Sequence, residues 1–257
     1  MDIHPTALVD PKAELADDVT IGPYAVIGPH VRIGSGTSIG SHTVIDGWTE
    51  IGRNNRISSF VSVGFPPQDL KYKGSPTRLV IGDGNTIREY ATIHRGTEHG
   101  GGVTQIGNYN LIMAYVHVAH DCILHNRVIM ANAAMLAGHV IIEDDAVIGG
   151  LAAIHQFSRI GTHAYIGAKA GVKKDIPPYM LATGYPAKLY GPNLVGLKRK
   201  GFSSEAIHGL KKAYKIIFRS AMTLSEAMEE VRREVGNVVE VEILLRFIEG
   251  TQRGITR

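Results

Sequence analysis

The chain has 257 residues, 44% of them hydrophobic, with a net charge of only +3 from 27 basic and 24 acidic side chains. No apolar run is long enough to span a bilayer, no basic-then-apolar leader precedes the first repeat, and the charge is too small for a dedicated nucleic-acid binder. The single cysteine, Cys122, excludes an internal disulfide and suits a reducing, cytoplasmic compartment.

From the start an aliphatic side chain returns at every sixth position: Ile3, Val9, Leu15, Ile21, Ile27, Ile33, Ile39, Ile45, Ile51, Ile57 and Val63. The series resumes at Ile81, Ile87 and Ile93. Shifted by one residue, it then runs from Ile106 to Val172. This period matches neither a helix nor an alternating strand. It marks a parallel β-helix in which three six-residue sides make one coil. The fourth residue after each aliphatic is usually small or β-branched, as at Ala25, Thr43, Val61, Ala134 and Ala152, which suits a narrow corner. Cys122 occupies such a position, so packing accounts for it. Glycines follow many aliphatics, including Gly34, Gly40, Gly107 and Gly149, and read as tightly turned backbone. Each coil buries its aliphatics against its neighbours, so residues eighteen apart should share a column spaced at about 4.8 Å.

Two interruptions break the series. Residues 64–80, GFPPQDLKYKGSPTRLV, leave and rejoin it in register; residues 95–104 add one residue to it. Long loops on a rigid repeat commonly carry function. The first crowds Gln68, Asp69 and Lys71 into four positions.

Twelve histidines are many for this length, and His117, His120, His125, His139, His155 and His163 fall within neighbouring coils. By the column rule His120, Gly138 and Gln156 stack on the outside of the prism, with His139 and His155 beside them. A neutral imidazole can deprotonate a hydroxyl, and an accessible glycine N–H can stabilise an oxyanion. Asp121 follows His120 and can orient it. Acyl transfer is the chemistry this column suits. Zinc is the rival: His117, His120 and His125 have ligand-like spacing, as in γ-type carbonic anhydrases. A trimeric scaffold without catalysis is a third reading.

The repeat is expected to end near residue 186, after Pro177, Pro178 and Pro186, giving a β-helix domain over 1–186 and a helical domain over 187–257. A helical stripe runs through Ile207, Leu210, Ala213, Tyr214 and Ile217. Thr223 and Glu226 form a capping-box pattern opening a second helix. Gly236-Asn237 reads as a stop followed by a new N-cap, with a third helix ending near Gly250.

The strings QDLKYKGSPTR (68–78), TIHRGT (92–97), LIMAYVHVAHDC (111–122), LAGHV (136–140), HQF (155–157) and GLKRKGFSSEAI (196–207) resemble the UDP-N-acetylglucosamine acyltransferases of lipid A biosynthesis, and the likeness spans the whole chain. The resemblance implies a left-handed parallel β-helix and a homotrimer with active sites between subunits. It implies transfer of an (R)-3-hydroxyacyl group from acyl carrier protein to the 3-hydroxyl of UDP-N-acetylglucosamine. It makes His120 the general base, Asp121 its partner, and Gly138 the oxyanion donor. Gln68, Asp69, Lys71, His117, His139, His155, Gln156, Asn193 and Arg199 become substrate contacts. No metal or dissociable cofactor is implied, because the phosphopantetheine arrives on the carrier protein, whose acidity Lys198-Arg199-Lys200 would complement. Tyr165 and Ala168 match the floor of the acyl groove. Alanine replaces the glycine of long-chain members there, which implies donors shorter than about fourteen carbons. Val195 stands where the best-known members carry a glutamate near the nucleotide.

Overall fold

The computed structural model describes residues 1–257. Twenty-eight short strands form three sheets of 11, 9 and 8 strands, and consecutive strands visit the three in rotation. The result is the parallel β-helix expected for a six-residue period, with the left hand that the resemblance implies. Parallel register sets Ile3 on Ile21 and Val9 on Ile27, eighteen residues apart. One inward column of the first sheet reads Ile21, Ile39, Ile57, Ile87, Ile112, Met130, Ile148 and Ile166, all buried. Removing each such side chain from water is worth about 1.5–3 kcal/mol. That gain is available only when the coils above and below are in place.

The corners need a different explanation from the one glycine suggests. Apart from Gly64, the glycines that follow the aliphatics do not have positive φ. Left-handed backbone falls two residues later, mostly on non-glycine residues such as Tyr24, His42, Phe60, Tyr90, Asp121, His139 and His163, with φ of 55–61°. Each such residue costs about 1–2 kcal/mol in isolation. The conformation aims its N–H at the coil below: His42 donates to Pro23 O, Phe60 to Ser41 O, and His139 to His120 O, each at 3.0 Å. The glycines serve close approach instead. A Cβ on Gly40 would lie 2.5 Å from the backbone of Ser58, and one on Gly107 2.6 Å from His125 O.

The three edges of the prism differ. The edge between first and second sheets carries a ladder of partly exposed rings, Tyr24, His42, Phe60, Tyr90 and Tyr115, stacked 4.9–5.3 Å apart. The third–first edge is filled by buried asparagines. Buried Asn85 accepts from Asn110 N and donates from Nδ2 to Gly107 O. The second–third edge carries both interruptions. Across the first loop the coil offset becomes 30 residues, as between Ile51 and Ile81, and across the second 25, as between Ile81 and Ile106.

The parallel stack ends with an antiparallel pair, Met180–Thr183 and Lys188–Pro192, added to the first sheet. Residue 186 therefore lies inside a hairpin whose second strand still belongs to the sheet. Four helices follow: α1 (Leu194–Arg199), α2 (Ser204–Arg219), α3 (Leu224–Val235) and α4 (Val239–Glu249). The short α1, capped by Asn193, has no apolar stripe and was not expected. The capping box of Thr223 and Glu226 forms. Asn237 does not cap α4, which begins after Val238 without a side-chain cap. Buried Ile207, Leu210, Ala213 and Ile217 dock α2 into the same core that fills the prism. No helix is long and apolar enough to cross a membrane.

Candidate active site

The column expected from spacing forms. His117 pairs with Met135 and Met135 with Ala153, so His120, Gly138 and Gln156 occupy successive storeys of the second–third edge. His120 lies flat against the chain above it. A Cβ on Gly138 would sit 2.5 Å from its Cε1 and 2.8 Å from its Nε2. Only glycine leaves room for the imidazole at that level. The Gly138 N–H donates to no acceptor in the chain.

Asp121 holds the ring from behind. His120 Nδ1 lies 2.8 Å from Asp121 Oδ2, and the carboxylate is almost wholly buried. Thr97 donates to it twice, from N to Oδ1 at 3.0 Å and from Oγ1 to Oδ2 at 2.7 Å. The Asp121 N–H donates to Thr104 Oγ1 at 2.8 Å. Burial opposes ionisation of this carboxyl, but the hydrogen bonds from His120 and Thr97 outweigh it and hold the pKa below the ordinary value. An ionised Asp121 requires the proton on His120 Nδ1 and leaves Nε2 as the basic nitrogen.

The period says nothing of Gly96, Thr97 and Gly100; only the family-like string TIHRGT includes the first two. The second interruption folds them around the carboxylate: a Cβ on Gly100 would collide with Asp121 Oδ2 at 2.1 Å. The two loops also brace each other. Arg95 donates to Gly64 O and the Tyr72 hydroxyl, and Lys73 N donates to Glu98 Oε1 at 3.0 Å. Hydrogen bonds led by that from Ser75 hold the Glu98 carboxyl down at about 2. Asp69 receives His99 Nε2 at 3.0 Å and Lys71 N at 2.9 Å; its pKa is lowered, first by the Lys71 N–H and also by the nearby His120. The first loop is thereby fixed over the histidines, with Gln68 and Lys71 exposed on it.

The other histidines divide by environment. His139 meets His120 edge-on at 5.2 Å and stacks on Phe157 at 4.4 Å. Burial lowers its pKa, with Asp121 pulling the other way. His117 Nδ1 is 2.7 Å from Thr92 Oγ1, and its pKa is lowered by burial and then by His120. Behind it, buried His94 is pushed down to about 4, chiefly by burial. His155 and Gln156 are exposed one storey above Gly138. Cys122, wholly buried, donates to Ala137 O, and burial pushes its thiol up to about 12.

His125 lies at the third–first edge, so His117, His120 and His125 do not converge within the chain. His120, Asp121 and His139 come within 4.8 Å of one another and could ligate a cation. Both Asp121 oxygens, however, already accept from Thr97 or His120, and a metal would have to displace them.

Asn193, Arg199, Tyr165 and Ala168 are not brought to His120. Asn193, Val195, Arg199 and Tyr165 line a cavity of about 570 Å³ on the first-sheet face, together with Asp145 and Lys200. Asn193 caps α1 by accepting from Gly196 N and donates from Nδ2 to His163 O. Burial raises the Asp145 pKa, but Arg127 and Lys200, 2.8 and 2.7 Å away, more than reverse this. Ala168 is exposed in the turn after Tyr165, at the first–second edge. The expected substrate contacts thus fall on two separate walls.

Residues 175–256 match the family model described as UDP-N-acetylglucosamine O-acyltransferase, domain 2, and residues 12–47 match the hexapeptide-transferase model. The acyl-[acyl-carrier-protein]–UDP-N-acetylglucosamine O-acyltransferase of Thiobacillus denitrificans is 57% identical over 99% of both chains. The chain belongs to the UDP-N-acetylglucosamine O-acyltransferase family. The relative from Thermodesulfovibrio yellowstonii is also 57% identical, over 100% of this chain and 99% of its own. Among solved structures, LpxA of Acinetobacter baumannii superposes with a TM-score of 0.96 at 47% identity, covering 99% of each chain. The Arabidopsis UDP-N-acetylglucosamine acyltransferase gives 0.86 at 37%, covering 99% of this chain and 100% of its own. The matched residues 175–256 take in the hairpin and the four helices.

Proposed function

We propose that the chain transfers an (R)-3-hydroxyacyl group from acyl carrier protein to the 3-hydroxyl of UDP-N-acetylglucosamine, the first step of lipid A biosynthesis. The names of its full-length relatives support the reaction class. The observation that carries the mechanism is His120, tied through Nδ1 to buried Asp121 and lying against Gly138. Nε2 takes the proton of the acceptor hydroxyl as its oxygen attacks the thioester carbonyl. The carbonyl oxygen becomes an oxyanion, stabilised by the Gly138 N–H. On collapse the carbon–sulfur bond breaks, the ester remains, and the imidazolium returns its proton to the departing thiolate. Asp121 holds the ring and favours its transient positive charge.

Gln68, Asp69 and Lys71 on the braced first loop, with His117, His139, His155 and Gln156, form one wall of the binding cleft. Asn193 and Arg199 form the opposite wall for the nucleotide, and Tyr165 and Ala168 limit the acyl chain. Because the walls lie on different sides of one prism, a neighbouring subunit supplies the second, and the active species is a homotrimer. The chain works without metal or dissociable cofactor. It acts in the cytoplasm, where nucleotide sugar and carrier protein meet.

The test is an assay of purified protein with UDP-N-acetylglucosamine and a ladder of hydroxyacyl carrier proteins, products read by mass spectrometry. His120→Ala should lower turnover by about a hundredfold or more. Full turnover in that variant would end the mechanism. Stoichiometric zinc bound at the histidines would favour hydration chemistry instead.

A further inference from the structure

We propose that Lys173 and Lys174 hold the phosphodiester of the donor's phosphopantetheine arm, an assignment that rests on the acyl-carrier-protein-dependent reaction above. The two lysines line a cavity of about 550 Å³ where the last coil meets the C-terminal segment, with Pro186, Thr251, Thr256 and Arg257 around them. Their place on the prism gives the cavity its meaning. The register of Ala153 with Gly171 and Ile154 with Val172 carries the column of His120, Gly138 and Gln156 one storey higher, to Lys174. Lys174 is thus three coils above the reacting imidazole, a rise of about 14 Å at about 4.8 Å per coil.

A pantetheine arm has about thirteen bonds between sulfur and phosphorus, and at about 3.5 Å for every three bonds an extended chain of that length reaches roughly 15 Å. The thioester carbonyl at Gly138 lies two coils, about 10 Å, below Lys174, so an arm running up the edge reaches the lysines with a few ångströms to spare. Their backbone is held firmly: Lys174 O accepts from Thr256 Oγ1, and buried Asp175 accepts from Arg159 N at 2.9 Å. Their ammonium groups are uncommitted. Lys200 and Lys212 are paired with Asp145 and Glu234, whereas neither Lys173 nor Lys174 has an ion-pair partner in the chain. The nucleotide wall of the proposed function, with Asn193 and Arg199, lies elsewhere, on the first-sheet face.

The experiment uses carrier-free donors, which removes any general attraction of basic residues for an acidic protein. Hydroxyacyl-phosphopantetheine and its dephosphorylated counterpart are compared as donors for the full-length enzyme and for Lys173→Gln/Lys174→Gln. The wild type should favour the phosphorylated donor by about tenfold in KM, the scale of one charge-assisted hydrogen bond, and the double variant should lose that preference. Lys173→Arg/Lys174→Arg should restore most of it. A preference that survives in the double variant, or a wild type indifferent to the phosphate, overturns the assignment while leaving the acyltransfer reading intact. A wild type that acylates UDP-N-acetylglucosamine from neither donor nor from acyl carrier protein overturns both.

Discussion

The third–first and second–third edges are built from the same repeat but treat their polar groups in opposite ways. At the third–first edge Asn55, Asn85 and Asn110 satisfy one another and the carbonyls of adjacent coils, so nothing is left over. At the second–third edge Asp121, Thr97 and Thr104 also satisfy one another, but the network stops one bond short. His120 Nε2 and the Gly138 N–H are left without partners in the chain. A closed network stabilises a stack, and one left open at a defined atom can bind and react.

That contrast can be broken most sharply at Gly138. Gly138→Ala keeps the N–H and requires no unusual φ, but its Cβ must push the His120 ring aside. Turnover should fall by about a hundredfold with the melting temperature little changed, because a displacement near 1 Å in a catalytic group costs that much. Comparable losses of activity and stability would show that the glycine serves the stack. The matching change at the closed edge is Asn85→Ala, which orphans Gly107 O and Asn110 N–H. Denaturant unfolding should register a loss of about 2–4 kcal/mol, while the folded fraction keeps its turnover per site.

Thr97→Val sharpens the comparison by removing one hydrogen bond to Asp121 while keeping the N–H bond. Turnover should fall about tenfold, the equivalent of about 1.4 kcal/mol. The Asp121 pKa is held down partly by Thr97, so losing that bond raises it. The acid limb of the pH–rate profile should therefore move to higher pH; an unmoved limb would separate Thr97 from the titration. The smallest effect is expected at the other wall. Ala168→Gly should favour donors two carbons longer by about tenfold in relative kcat/KM, read from the same carrier-protein ladder, and an unchanged product profile would remove Ala168 from the groove.

The hexad was legible because the inside of a narrow prism accepts only aliphatic side chains at fixed intervals. The same rule placed His120 beneath Gly138, since strand register converts an eighteen-residue step into one storey. The role of Thr97 was illegible, although the TIHRGT string that ends on it marked the family likeness. Thr97 reaches Asp121 across a loop whose length no periodicity sets, and a threonine near a glycine run looks like any surface loop. The glycines after the aliphatics were misread as turn formers because composition alone does not distinguish positive φ from close approach. The short helix α1 escaped because six residues with one buried side chain, Leu197, make no stripe.

What the sequence determined by itself is everything that repeats: the three-sided stack, its inward columns, and the vertical order of His120, Gly138 and Gln156. What only the tertiary structure decided is everything that crosses between repeats. Both loops leave from one edge and brace each other over it, Thr97 closes on Asp121, and Asn193 and Arg199 face away from His120. The physical reason is that backbone register propagates along the chain at a constant step, whereas a contact between loops or between faces of the prism depends on side-chain direction and packing, which no constant step encodes.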